Sequence, residues 1–255
     1  AFAVYPIVTQ AVGATARVAK ANPPDHAMPH GHDLAAMQAL ITDRTRVVFI
    51  ANPNNPTGTW LHTLELQSFL ESVPEQVLVV VDEAYFEYVE ADSDCPDTLR
   101  WFDRFPNLIV TRTFSKAYGL AGLRVGYAVS QPPVADLLNR VRQPFNVNSL
   151  ALAAATAALD DVEHLERGRA LNRAGMNQLQ EACRRFGLSW LPSAGNFLCV
   201  DVGRSGRELF LALLKQGVIA RPVDNYGLPQ YLRISIGTEA ENARLIEALG
   251  DVLKE

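Results

Sequence analysis

The apolar positions of this chain fall into two kinds of run. Val47-Val48-Phe49-Ile50-Ala51, Val77 to Val81, Leu108-Ile109-Val110 and Val125 to Val129 are short, continuous and mostly aliphatic. Runs of that length read as strands covered on both faces, as in a mostly parallel sheet. Between and after them lie helical patterns: His62 to Ser72, Pro132 to Arg142, Leu150 to Leu159, and a long stretch from Val162 to Phe186. Pro132-Pro133 suits a first helical turn, where the missing N–H has no partner to lose. Ser149 is the expected cap of the alanine-rich helix after it. Strand alternating with helix predicts an α/β fold with helices on both faces of the sheet.

Beyond residue 160 the pattern changes. Phe197 to Val202 and Tyr231 to Ile236 read as strands, Gly206 to Gln216 and Glu239 to Leu253 as helices. We therefore expect a large domain over residues 1–160 and a smaller C-terminal α+β domain over 161–255. No internal repeat or low-complexity segment interrupts them.

Composition narrows the function classes. With 255 residues, 48% hydrophobic and 20% charged, the chain has the material for a sizeable core and an ordinary surface. Its net charge is −5 and its basic residues are scattered, which argues against a nucleic-acid face. No apolar run reaches the ~18 residues of a membrane helix. Cys95, Cys183 and Cys199 lie far apart without a CxxC pair, and read as inert thiols in a reducing compartment. The start, Ala1-Phe2-Ala3-Val4-Tyr5, has no basic region of a signal peptide. It lacks Met and enters structured sequence directly, so the large domain is expected to be incomplete on its N-terminal side. His26, His30 and His32 share a proline-broken loop, which we read as solvated rather than as a metal site.

The chemistry-bearing residues sit just after the expected strands, where α/β sheets bind ligands. Asn52-Pro53-Asn54-Asn55-Pro56-Thr57-Gly58 follows the first, and Asn55 offers a side-chain amide donor. Asp82 ends the second, with Tyr85 three residues on. Thr113, Ser115, Lys116 and Arg124 follow the third; hydroxyls and a guanidinium suit a phosphate, and a neutral lysine amine attacks aldehydes. Arg233 lies in an apolar strand, where a carboxylate or phosphate could satisfy it, and Arg221 is a second candidate. Each has a plain alternative when read alone: a turn, a helix-capping Asp, a solvated Lys, a structural ion pair.

Taken in order, the strings NPNNPTG (52–58), VVDEAYFEY (80–88), RTFSKAYGLAGLRVGY (112–127), RQPFNVNS (142–149), PSAGNF (192–197) and YGLPQYLRISIGT (226–238) resemble the fold-type I aminotransferases, and within them the histidinol-phosphate aminotransferase subgroup. The resemblance implies a pyridoxal 5'-phosphate enzyme of fold type I. By that likeness Lys116 matches the lysine that holds the cofactor covalently, and Asp82 the partner of its ring nitrogen. Tyr85 and Asn55 match the groups on its phenolic oxygen. Arg124, Ser115 and Thr113 match its phosphate cup, and Phe2 falls near the aromatic that stacks on its ring. Arg233, with Arg221, matches the arginine for the substrate's acidic group. The implied reaction takes histidinol phosphate and 2-oxoglutarate to imidazole acetol phosphate and glutamate. The implied setting is a cytoplasmic homodimer with shared sites, small-molecule substrates, and no nucleic acid, membrane or metal. Three other readings stand beside it: a transaminase for aromatic or other amino acids, a threonine-phosphate decarboxylase-like lyase, and a non-catalytic regulatory module on the same scaffold.

Overall fold

The computed structural model describes residues 1–254. Strands β1 (Val47–Ala51), β2 (Leu78–Asp82), β3 (Leu108–Thr113) and β4 (Gly126–Ser130) form one four-stranded sheet in that order. The pairings of β1 with β2 and of β2 with β3 are parallel. The pairing of β3 with β4 is antiparallel, so the expected parallel character holds for the sheet but not for its last strand. β3 and β4 are joined by residues 114–125, which hold only the short 3-10 turn Ala121–Leu123 and none of the crossover α-helix that usually returns a chain parallel. The sheet is thus mixed and mostly parallel, as an α/β fold requires.

Alternation of side chains decides which face is packed. Val48, Ile50, Val79, Val81, Leu108 and Val110 point into one core with Leu66, Phe69 and Leu70 of α3 (Thr63–Ser72) and with Leu34 and Met37 of α2 (Leu34–Ala39). The opposite face holds Phe49, on which the Tyr5 ring of α1 (Val4–Ala11) stacks at 4.9 Å and 9°. The middle strands are buried on the α2–α3 side, while on the opposite face Phe49 and Val80 are only partly covered, and Val47 at the start of β1 remains 41% exposed.

Helices α4 (Pro132–Val141) and α5 (Ser149–Asp160) lead into the long α6 (Val162–Arg185). Pro132 opens α4 as its sequence demands. The cap of α5 is Asn148, whose side-chain oxygen accepts from the Ala151 N–H at 2.9 Å; Ser149, the expected cap, is the first helical residue. Both residues can cap, and Asn148 holds the extended backbone that a cap position needs.

The second sheet runs β5 (Ser189–Trp190), β6 (Phe197–Asp201), β8 (Leu228–Ser235), β7 (Arg221–Val223), antiparallel throughout. Leu198, Val200, Leu232 and Ile234 pack beneath α7 (Gly206–Lys215), α8 (Glu239–Val252) and the C-terminal half of α6. Thr238 and Glu241 form a capping box at the start of α8. Cys95, Cys183 and Cys199 are all buried, and burial pushes their thiols up to about 12, 11 and 12 respectively, so they stay protonated and unreactive. Among the described residues no helix is long and apolar enough to cross a membrane.

Candidate active site

Because β1, β2 and β3 run parallel, the segments leaving their carboxyl ends share one edge of the sheet. The 52–58 loop leaves β1 there. It is no surface turn: all seven of its residues are buried. Asn52 accepts the Leu61 N–H at 2.8 Å, so a side chain replaces water for that backbone group, and Asn54 donates to the Thr57 hydroxyl at 2.8 Å. Gly58 sits at φ +87°, and a Cβ there would lie 2.3 Å from the Ser193 hydroxyl. That close approach lets the 192–197 segment dock, with the Ala194 N–H on the Gly58 carbonyl at 3.0 Å. Through this contact the second sheet brings Phe197 edge-on to Tyr85, ring centres 5.1 Å apart, and places Arg233 over the Phe197 ring at 5.1 Å.

The result is a cleft of about 180 Å³ whose walls include Asn55, Asp82, Tyr85, Lys116, Arg221, Arg233 and Phe2. Seven of the residues singled out from the sequence thus meet at one point, drawn from positions 2 to 233. Three do not reach the wall. Thr113 accepts the Ser115 N–H at 3.0 Å and so shapes the turn before Lys116. Ser115 belongs to the same turn. Arg124 is exposed, holds a left-handed backbone at φ 54°, and donates to the Ala121 carbonyl at 2.9 Å. Its charge still acts at the cleft, as Lys116 shows.

Lys116 has its ammonium nitrogen 5.3 Å from the centre of the Tyr85 ring. Partial burial lowers its amine below the ordinary lysine range; the charges of Arg233 and Arg124 push the same way, and Asp82 opposes them. Asn55 bridges two neighbours: its side-chain oxygen accepts from Arg233 at 2.6 Å, and its amide donates one hydrogen to the Tyr85 hydroxyl oxygen at 3.4 Å, leaving the other for a ligand. Tyr85 is 5% exposed, and burial raises its phenol while the charge of Arg233 lowers it. With its oxygen accepting from Asn55, the Tyr85 proton is left to donate elsewhere. The Asp82 carboxylate accepts the Ala84 N–H at 3.2 Å on one oxygen and the Tyr5 hydroxyl at 2.6 Å on the other.

The positive charge here is unbalanced. Among the described residues, none of Lys116, Arg124, Arg221 and Arg233 has a carboxylate within ion-pair distance, although thirteen such pairs form elsewhere. The Arg233 Nε is buried without a partner. Arg221 and Arg233 face each other across β7 and β8, a like-charge pairing that costs stability unless an anion lies between. An anionic, aldehyde-bearing heteroaromatic ligand fits this donor set: an amine for the carbonyl, a carboxylate for a protonated ring nitrogen, a phenol and amide for an oxygen, and guanidinium groups for anions.

The sequence reading missed Tyr5 and Tyr226, which also line the cleft. A signal for Tyr5 existed in its spacing, three residues beyond Phe2, but its short helix was not anticipated. The loop of three histidines is not simply solvated either. His26 accepts the Met28 N–H at 3.0 Å, His30 lies edge-on to Tyr231, and His32 reaches the Ala51 carbonyl at 3.1 Å. Among the described residues no three His, Cys, Asp or Glu side chains gather as a metal site.

Comparison with known proteins follows the same lines. A family model described as aminotransferase class I and II matches residues 1–249. The chain is 64% identical over 253 residues to a protein named histidinol-phosphate aminotransferase 2 from Pseudomonas fluorescens strain Pf-5, covering 99% of this chain and 66% of that one. It is 60% identical to the protein of the same name from Pseudomonas aeruginosa, covering 99% of this chain and 67% of that one. A solved histidinol-phosphate aminotransferase from Sinorhizobium meliloti, in complex with pyridoxal-5'-phosphate, superposes with a TM-score of 0.80 at 34% identity, over 88% of this chain and 62% of that one. The chain thus spans about two thirds of the length of the curated relatives it matches, 66% for the first.

Proposed function

Since the chain belongs to the aminotransferase class I and II family, we propose that its cleft holds pyridoxal 5'-phosphate on Lys116 and moves the amino group of histidinol phosphate to 2-oxoglutarate, giving imidazole acetol phosphate and glutamate. The observation that carries this reading is the convergence of Lys116, Asp82, Asn55 and Tyr85 beside Arg233, a cation with no carboxylate partner among the described residues. The names of its relatives, and the pyridoxal-5'-phosphate in the Sinorhizobium meliloti structure, support the same substrate and cofactor.

When bound, the cofactor supplies an electron sink for a substrate carbon that gives up a proton. The rest is the work of this chain. Lys116, its amine lowered by burial and by two neighbouring guanidinium groups, is neutral more often than a free lysine and so can attack an aldehyde carbon. Its amine, once free, would take the proton from the substrate Cα as general base and give it back as general acid. Asp82 would hold a proton on the ring nitrogen through a charge-assisted hydrogen bond. Tyr85, its oxygen already accepting from Asn55, directs its own proton to the phenolic oxygen. Ser115, Thr113 and Arg124 lie on the turns that flank Lys116 and would hold the phosphate. Phe2, on the cleft wall, would face the ring.

Arg233, with Arg221 opposite it, takes the substrate's acidic group. The same pair must accept the phosphate of one substrate and a carboxylate of the other; the planar fork of a guanidinium pairs with both. The proposal includes a cofactor-binding unit over residues 1–160, a smaller unit over 161–255, and action as a cytoplasmic homodimer with shared sites. Two separate hydrophobic cores, one under each sheet, support the division.

Two measurements test the reading. Borohydride treatment of the protein with pyridoxal phosphate should fix a pyridoxyl group on Lys116, read by peptide mass spectrometry; a label on another lysine refutes the assignment. In paired assays, amine transfer from phenylalanine but not from histidinol phosphate would overturn the substrate.

A further inference from the structure

Tyr5 makes a short hydrogen bond in the cleft, and no role in the reaction described above requires it. Its hydroxyl lies 2.6 Å from the Asp82 Oδ2. Its position is set from below. The ring stacks face to face on Phe49 of β1, at 4.9 Å and 9°. Phe49 is in register with Val80, and Ala51 with Asp82, so the Tyr5 ring bridges from β1 to the last residue of β2. Its helix supports it from behind, where the Thr9 hydroxyl donates to the Tyr5 carbonyl at 2.7 Å. Phe2 packs edge-on against the outer side, centres 6.1 Å apart. Burial and the adjacent carboxylate both hold the phenol in its protonated form, so it stays a donor across the working pH range.

A carboxylate at the end of a strand is free to rotate about its χ2. Asp82 is fixed on both sides: Oδ1 takes the Ala84 N–H at 3.2 Å, and Oδ2 takes the Tyr5 hydroxyl. An ionised carboxylate oxygen has two lone pairs, so Oδ2 can accept Tyr5 and still accept one donor from the cleft. The plane of the Asp82 carboxylate is thereby set before any ligand arrives, which lowers the cost of ordering it at binding.

We propose that Tyr5 is a positioning residue: its hydroxyl, seated on Phe49, aims the Asp82 carboxylate at the ring nitrogen of the cofactor. The inference rests on the assignment of Asp82 to that nitrogen. It adds a residue that acts through Asp82 and touches none of the reacting atoms.

The test is a double-mutant cycle on the whole protein with Tyr5→Phe and Asp82→Asn, the first keeping the stacked ring and removing only the hydroxyl. Two readouts avoid turnover. Equilibrium titration with pyridoxal phosphate should show about tenfold weaker binding in Tyr5→Phe. Nitrogen-15 NMR of ring-labelled pyridoxal phosphate should show the ring nitrogen losing its proton at lower pH, by about one unit, the equivalent of about 1.4 kcal/mol. Asp82→Asn should lose more in both, and the double variant no more than Asp82→Asn alone, since the hydroxyl then has no carboxylate to aim. Phe49→Leu, which keeps the hydroxyl but loosens its seat, should move both readouts the same way by less. A Tyr5→Phe protein that matches the wild type in affinity and in ring-nitrogen titration overturns the proposal, as does an effect that adds in full to that of Asp82→Asn. A wild-type protein that takes no pyridoxal phosphate overturns the cofactor reading itself, and Tyr5 with it; wild-type loading with an unaffected Tyr5→Phe overturns Tyr5 alone.

Discussion

Arg112 and Arg233 are both strand arginines, one on each sheet, and they differ in what neutralises them. Arg112 donates twice to one oxygen of Glu83, at 2.9 and 2.6 Å, and once to Asp97, at 2.7 Å, and lies over the Phe86 ring at 3.9 Å. Glu83 is wholly buried, and its other oxygen accepts from the Thr98 hydroxyl and N–H. Burial raises the Glu83 carboxyl while Arg112 and Thr98 draw it back down; two guanidinium donors on one oxygen favour an ionised pair. Arg233 has Asn55 on one nitrogen and a buried Nε without a partner. The chain completes the first arginine from its own residues and leaves the second for something that is not part of it. Asp82 and Glu83 repeat the contrast one residue apart: Glu83 is tied into the fold, and Asp82 faces the cleft.

Variants on either side of that contrast should separate stability from chemistry. The largest effect is expected at Lys116. Lys116→Ala should reduce transamination by about 10⁴-fold and abolish the borohydride-fixed label, with thermal unfolding unchanged. In the wild type, the rate of reaction with pyridoxal phosphate should report an amine that ionises below free lysine. A Lys116→Ala protein that melts much lower would blur the division between cleft and scaffold.

Arg112→Met should do the reverse. It leaves Glu83 buried with only Thr98 and Asp97's vacated neighbourhood around it, and should cost about 3–5 kcal/mol, a fall in melting temperature on the order of 10 °C. Scanning calorimetry would measure it, and a stable Arg112→Met protein would mean the cluster is not what holds β2 to β3.

Arg233→Gln should raise KM for histidinol phosphate about 30-fold, the loss of about 2 kcal/mol of charged hydrogen bonding. Its stability should be equal to or above wild type, because an unpaired cation opposite Arg221 is removed. A pronounced loss of stability instead would place Arg233 with Arg112 as a structural charge.

The last effect concerns His32 and appears only as the pH is lowered. Burial holds its imidazole down at about 4, against an ordinary value near 6.5, and its ring reaches the Ala51 carbonyl. The unfolded chain therefore binds a proton at a higher pH than the folded one. The stability this group contributes is present above about pH 6.5 and is lost as pH falls towards 4, by at most about 3 kcal/mol. Urea denaturation at a series of pH values should show that slope, and His32→Gln should flatten it.

What could be read without the structure was set by local rules. The continuous apolar runs marked β1 to β4, and Pro132 and Pro133 marked the start of α4, because strand burial and helix entry each leave a signature within a few residues. Residues leaving a strand's carboxyl end could be singled out for the same reason, and Asn55, Asp82, Tyr85 and Lys116 do share one cleft. Two-residue β5 and three-residue β7 are too short for any periodicity to show, and Ser149 and Asn148 are both competent caps, so neither question had a local answer.

Distance in sequence hid the rest. That Arg112 would find Glu83 while Arg233 found no acid, that β4 would turn back along β3, and that Tyr5 would cross 77 residues of sequence to Asp82 all depend on which elements become neighbours. The chain alone determined which segments become strands and helices and which side chains could do chemistry. Only the packed structure decided which charges are neutralised internally, because that depends on distances of a few ångströms between residues that sequence order does not constrain.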